Sequence, residues 1–375
     1  MKKILHISTY YPPHTGGVEQ VCHMIVSSAT EYEHEVICFN DCPKTIVSFY
    51  EGIKVIRVGA FANVASQALS FSYMWRLRAE IRSFIPDIIH FHVPNPLIGF
   101  YLCMLPQRIP LIVHYHAEIL TSAFLYACYR PFERLLFHRA KLIITTSPKL
   151  RDEAKPLAPY RKKCKILANA INTRQFDLGK IEKEKVHIQE IQARYGNRKI
   201  ILSYGRHVPY KGLCYLIEAE KYIKEECVLL IGGEGPLTSQ LQMQANSPRI
   251  HFLGQIPDNQ LKYYLYAADI FAFPSITRAE AFGITLIENM YCYTPPVTFS
   301  IPASGVNYVC LNGVTGLVVP NSNAMEFARA IDQLLSDDTL RLKMAEAGHQ
   351  RVEQLFTTHT FSEKLKNIYD QVIHS

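Results

Sequence analysis

The chain is expected to fold as α/β, with two doubly wound parallel sheets in two domains. Its 375 residues exceed what a single ordinary core organises. Short apolar runs at residues 4–9, 35–39, 53–58, 87–91, 111–115 and 142–146 recur with helix-periodic segments between several of them, the alternation that builds parallel sheets. Beyond 172 the pattern loosens into polar and charged residues, and it begins again with an apolar strand at 199–204. The expected organisation is therefore a first domain over 1–170, a partly helical connection over 171–198, a second domain over 199–355 and a terminal helical segment over 356–375.

Hydrophobic residues make up 48% of the chain, which excludes a disordered class. The 40 Lys+Arg and 33 Asp+Glu are unevenly spread. Through Ala168 there are 20 basic against 12 acidic residues, and from Asn169 onward 20 against 21. All the excess positive charge lies in the first half, which points to an acidic partner there, either an anionic membrane face or a pyrophosphate-bearing acceptor. No zinc finger, aromatic ribonucleoprotein motif or long basic helix accompanies the charge, so no nucleic acid is expected. The ten Cys have no paired spacing and sit mostly in apolar runs, as free thiols do in a reducing cytoplasm. Cys38 and Cys42, with His34 nearby, lack the second pair a zinc site needs. Residues 1–5 begin a strand rather than a signal peptide, because His6 and Ser8 break the run and Pro12-Pro13 close it. No apolar run approaches the roughly 18 residues of a membrane span.

In the first domain, the opening strand leads through Tyr10-Tyr11-Pro12-Pro13-His14-Thr15-Gly16-Gly17 into a helical pattern at Val18, Val21, Cys22 and Ile25. A glycine turn between strand and helix lets backbone amides approach an anion; the bland reading is a tight turn, and the spacing is not a dinucleotide fingerprint. His92, His114 and His116 fall at the carboxyl ends of strands, where ligands gather in such sheets. The segments 71–78 and 124–141 mix Phe, Tyr, Trp and Leu with Arg and Lys, and they read equally as membrane-facing helices or as core helices with a charged back. The basic cluster Arg161-Lys162-Lys163 would favour the membrane if it shared their face.

In the second domain, Gly205-Arg206-His207-Val208-Pro209-Tyr210-Lys211-Gly212 follows the first strand. Its Lys precedes the Gly, so it is not a Walker loop, but Arg206 and Lys211 are two cations on one strand-to-helix turn, spaced for two phosphates. A second glycine turn, Gly232-Gly233-Glu234-Gly235-Pro236, follows the next strand. Residues 273–290 then read as a strand end, a polar loop and a helix beginning after Gly283. Glu280 precedes that helix, Glu288 lies more than one turn inside it, and the amides of Phe282, Gly283 and Ile284 face outward at its positive end.

Glu280-x7-Glu288, with Ala281-Phe282-Gly283 behind the first Glu, resembles the signature of family 4 retaining glycosyltransferases, which use nucleotide sugars and have the GT-B fold of two Rossmann-like domains facing across a cleft. The resemblance extends over essentially the whole chain and is strongest from Gly205 to Pro320. It implies that Arg206 and Lys211 hold the donor diphosphate. Glu280, with the backbone of Phe282, Gly283 and Ile284, would contact the donor sugar, and Glu288 the ribose hydroxyls. Gly16 and Gly17 would lie near the diphosphate and the acceptor, His116 at the sugar and reacting centre, and Gly233 and Gly235 along the nucleotide.

With no Asp-x-Asp motif, no metal and no cofactor beyond the nucleotide-sugar co-substrate is expected. The residues 304–309 resemble the mannosyl- and rhamnosyl-transferring branch and favour a GDP-linked donor. Tyr293 stands where the family has glycine. The implied reaction is retaining, metal-independent transfer of a mannose- or rhamnose-like sugar to a saccharide or lipid-linked saccharide in surface polysaccharide or lipopolysaccharide assembly. The implied location is the cytoplasm, including the inner face of its membrane. An epimerase or hydrolase of the same fold and a silent nucleotide-sugar-binding protein are the alternatives. Consumption of donor without acceptor would mark the former, and binding without any product the latter.

Overall fold

Ile4, Leu5 and Ile7 are wholly buried, as residues of a strand covered on both faces must be. In the computed structural model, which describes residues 1–14, 16–64, 67–106, 108–118, 123–178 and 182–374, the chain divides into two units. One comprises Met1–Ala168 with His359–Ser375 and the other Asn169–Thr358. The first runs β1 (Lys3–Ile7), α1 (Gly17–Ser28), β2 (Glu33–Phe39), β3 (Ile46–Tyr50), β4 (Ile53–Val58), β5 (Ala62–Val64), β6 (Gln67–Leu69), α2 (Tyr73–Phe84) and β7 (Ile88–Val93). It continues through α3 (Pro96–Cys103), β8 (Leu111–Tyr115), α4 (Ala123–Arg139), β9 (Leu142–Thr145), α5 (Pro148–Glu153) and β10 (Cys164–Ile166).

Eight of these strands form one sheet in the order β10-β9-β8-β7-β1-β2-β4-β3. Every pairing in it is parallel except β3 with β4. That edge hairpin turns through Glu51 (φ 49°) and Gly52 (φ 82°), the double left-handed turn that suits strand twist. Its outer strand leaves Val47 and Phe49 exposed. Chain order reverses between β1 and β7, so ligands are expected at the carboxyl ends of these two strands.

The second unit contains α6 (Glu182–Arg194), β11 (Lys199–Tyr204), α7 (Leu213–Glu220), β12 (Cys227–Gly232), α8 (Thr238–Gln244), β13 (Ile250–Gly254), α9 (Asp258–Ala267), β14 (Ile270–Phe273) and α10 (Ile284–Tyr291). After these come β15 (Pro296–Phe299), α11 (Val306–Val309), β16 (Leu317–Val319), α12 (Ala324–Ser336) and α13 (Asp338–Leu355). Its sheet is wholly parallel, in the order β13-β12-β11-β14-β15-β16. Order reverses between β11 and β14. The loops that follow these two strands are the ones that carry Arg206, Lys211 and Glu280.

Residues 171–198 are grouped with the second unit. There α6 packs on α9 through the Lys262–Glu184 ion pair at 2.9 Å and the His187–Tyr263 rings. The last helix, α14 (Thr358–Ile373), belongs mostly to the first unit, where Tyr369 reaches His90 and Asp370 accepts from Tyr32. Tyr293 adopts the left-handed backbone (φ 60°) that glycine tolerates freely, and its ring stacks on His349 at 4.1 Å. Six of the ten thiols are buried, Cys103 is half-buried, and no disulfide forms.

Candidate functional site: a charged cradle at the switch point of the second sheet

β11 delivers Tyr204 and then Gly205 to the carboxyl edge of its sheet, and the chain doubles back through Lys211 to Gly212 before α7 begins. Gly212 sits at φ 60°, and a Cβ there would lie 2.2 Å from the carbonyl oxygen of Pro274. Only glycine lets this turn lie against the loop after β14. Ile276 N–H donates to the carbonyl of Tyr210 and fixes the same contact. The two loops are thereby locked side by side.

Lys211 Nζ lies 2.6 Å from Glu280 Oε2, with only 16% and 12% of the two side chains exposed. The same oxygen accepts from the Ser275 hydroxyl at 3.1 Å, and Ser304 Oγ donates to the Glu280 carbonyl. Lys211 also lies 5.2 Å from the centre of the Phe273 ring. Arg206, one loop position beyond Gly205, is exposed and forms no ion pair among the described residues.

Glu288 lies on α10, where its Oε2 accepts from the Tyr204 hydroxyl. Burial pushes the Glu288 carboxyl above its usual range; the Tyr204 bond and the charge of Lys211 pull it back only in part. Phe282 is 2% exposed and packs edge-on against Phe356, so only its backbone is available to a ligand. Gly283 turns at φ 83° to start α10 without a side-chain cap. The amides of Phe282, Gly283 and Ile284 donate to no group among the described residues, and they sit at the positive end of the helix.

Gly233 and Gly235 answer a packing demand. A Cβ at either would meet the Gly205 carbonyl at 2.1 Å or the His207 carbonyl at 2.5 Å. The bonds Gly205 N–H to Gly232 O and His207 N–H to Glu234 O zip these loops together. The recess lined by Tyr204, Gly205, Arg206, Lys211, Phe273 and Ser275 is about 10 Å³ within this unit, room for little more than one water.

The second unit thus brings together Arg206, Lys211, Glu280, Glu288, Phe282, Gly283 and Ile284, with Gly233 and Gly235 behind them. Gly16, Gly17 and His116 lie in the first unit, Gly16 and Gly17 where α1 starts and His116 just past β8. His116 belongs to a buried array of imidazoles on adjacent strands. His92 Nδ1 lies 3.0 Å from His116 Nε2, His90 Nε2 lies 3.3 Å from His114 Nδ1, and His6 Nε2 lies 3.0 Å from His34 Nδ1. Burial holds His116 and His90 down at about 3, so both are neutral near pH 7. Sequence reasoning had not singled out Tyr204, Ser275, His6 or His90. His90 was readable, because His90-x-His92 and His114-x-His116 have the period of a strand and each pair therefore shares one sheet face.

Two family models match the chain. "Glycosyltransferase Family 4" covers residues 15–175, and "Glycosyl transferases group 1" covers residues 184–351. D-rhamnosyltransferase WbpZ of Pseudomonas aeruginosa is 27% identical over 361 residues, 95% of this chain and 92% of that one. O-antigen chain mannosyltransferase C of Escherichia coli is 25% identical over 380 residues, 100% and 99% of the two chains. Among solved structures, sucrose-phosphate synthase from Thermosynechococcus elongatus superposes with TM-score 0.79 at 20% identity over 100% of both chains. Anabaena Alr3699/HepE in complex with UDP gives 0.76 at 18% identity, covering 99% of this chain and 100% of that one. These structures share the GT-B fold. With one family's signature in its first unit and the matching group 1 signature in its second, the chain belongs to the glycosyltransferases of family 4.

Proposed function

We propose that this glycosyltransferase moves a mannose- or rhamnose-like sugar from a nucleoside-diphosphate donor to a hydroxyl of a saccharide or lipid-linked saccharide, with retention and without a metal. The observation that carries the reading is the cradle at the β11/β14 switch point. Breaking the anomeric C–O bond leaves positive charge on the sugar and negative charge on the departing diphosphate. Arg206, Lys211 and the amides heading α10 form a fixed positive field of the kind that stabilises such a leaving group. In a same-face displacement the acceptor oxygen bonds to the anomeric carbon, and its proton passes to the departing phosphate oxygen. Glu280, held by Lys211 and Ser275, would accept from the hydroxyls of the donor sugar. Glu288, backed by Tyr204, would accept from the ribose hydroxyls, and a neutral His116 would hydrogen-bond the sugar.

The sugar and acceptor classes rest on relatives named as a rhamnosyltransferase and an O-antigen mannosyltransferase, which also suggest surface polysaccharide assembly. No helix among the described residues is long and apolar enough to cross a membrane. Peripheral membrane contact is supported by Phe71, Trp75, Phe124 and Leu125, each more than half exposed on the basic first unit beside Arg76 and Arg130.

A panel of GDP-, UDP- and dTDP-sugars tests the donor assignment by thermal shift. At one hundred times its dissociation constant the true donor stabilises the fold by about 2.7 kcal/mol. A GDP-sugar is expected to give the largest shift. A panel in which no nucleotide sugar raises the melting temperature would overturn the reading.

A further inference from the structure

Away from these loops, at the amino ends of β8 and β9, the first unit contains a cavity of about 490 Å³. Its polar lining is Arg108, His138, Arg139, Lys141 and Lys163, and its apolar wall includes Val372 and Ile373 of α14. No acidic side chain lines it among the described residues. Lys163 is committed to structure, since its Nζ donates to the carbonyls of His138 at 2.7 Å and Ala140 at 3.0 Å and so caps the carboxyl end of α4. Arg139 is not. One nitrogen, Nη2, donates to the Pro106 carbonyl at 3.2 Å, while Nε and Nη1 are closed off from water and have no acceptor among the described residues. Burial lowers its pKa, the mark of a cation held without a counter-charge.

A half-buried guanidinium with no counter-charge beside it lowers stability unless a nearby anion balances its charge. Arg108 and Lys141, both exposed at the same opening, add two further positive charges with no partner charge in the lining. The geometry points to this cavity as a binding site for a phosphate-bearing anion, carried by a lipid headgroup or by a soluble phosphate compound. It lies at the sheet edge opposite Gly16, Gly17 and His116, so it is a site separate from the sugar-transfer machinery and stands independently of the proposed reaction.

The test uses full-length R206A/K211A protein, in which the donor diphosphate grip is removed. Inorganic pyrophosphate is titrated calorimetrically into this background and into the same background carrying R108Q/K141Q, two exposed changes that leave the fold intact. Binding is expected in the first and about ten-fold weaker in the second. Sedimentation with phosphatidylglycerol or phosphatidylcholine vesicles then separates the sources. Loss of phosphatidylglycerol binding in R108Q/K141Q assigns the headgroup, and pyrophosphate binding without vesicle binding assigns a soluble phosphate. R139Q supplies an independent readout: without ligand it should melt higher than the parent, because an uncompensated charge is gone. No pyrophosphate binding to the background protein, an affinity unchanged by R108Q/K141Q, or a lower melting temperature in R139Q would each overturn the assignment.

Discussion

Lys211→Ala is expected to lower kcat by about two to three orders of magnitude, the loss found when one fixed electrostatic group at a developing charge is removed. It should also reduce stability, because Glu280 would lose its ion-pair partner and keep the Ser275 hydroxyl bond while remaining largely buried. Stranding a buried charge in this way costs roughly 1–3 kcal/mol. The two effects separate in the Lys211→Met, Glu280→Gln double variant, which removes both charges at similar volume. Its melting temperature should return toward that of the parent while turnover stays low, as measured by denaturation and by product formation at saturating donor. Recovery of turnover together with stability would reduce Lys211 to a structural partner of Glu280.

Acidification from pH 7.5 to 5.5 is expected to destabilise the first unit by roughly 3 kcal/mol net. His6, His90, His92, His114 and His116 are all buried with pKa values held far below the usual 6.5, chiefly by desolvation, and His34 is lowered less. The unfolded chain takes up protons near pH 6.5 and the folded array does not. Stability is therefore full above that pH and falls as the pH drops below it, down to about 3 for His90 and His116. Each such imidazole forfeits about 1 kcal/mol by pH 5.5.

The groups packed against the array do not rescue it. Cys22 of α1 and Tyr369 of α14 are pushed up by burial and stay neutral, and the Ala29 carbonyl and Glu31 favour a charge on His34 without overcoming its burial. Two carboxyls of the first unit oppose the trend, Glu133, which is raised mainly by burial, and Glu35. Glu35, raised to about 7 mainly by burial, gains stability as the pH falls through that value, which offsets one to two imidazoles. Hydrogen exchange of β1, β7 and β8 amides at the two pH values measures the balance. Equal protection at both would show that the imidazoles are solvated and titrate normally.

Much of this was legible in the residues. Alternation of apolar strands with helices announced both sheets, and the glycine turn after 204 with the polar loop after 273 located the two loops that flank the second switch point. What local pattern does not encode is which loops become neighbours. The contact of Gly212 with the Pro274 carbonyl depends on β11 and β14 pairing in register, Ile201 with Ile270, far apart in the chain. Tyr204 and Ser275 therefore gained their partners Glu288 and Glu280 only in three dimensions. The edge strand β3 escaped because its apolar residues face outward, where no burial periodicity marks them. Gly233 and Gly235, expected beside the nucleotide, show a packing reason for being glycine that spacing alone could not supply.

Recognition of a diphosphate by Arg206 and Lys211 underlies the whole proposed reaction. Calorimetric titration of a nucleoside diphosphate and the matching monophosphate into the parent and R206A/K211A proteins tests it most directly. The parent is expected to prefer the diphosphate by about a hundred-fold, two charge-assisted contacts' worth, and the double variant to lose that preference. A preference that survives the loss of both cations would place the diphosphate elsewhere and contradict the claim.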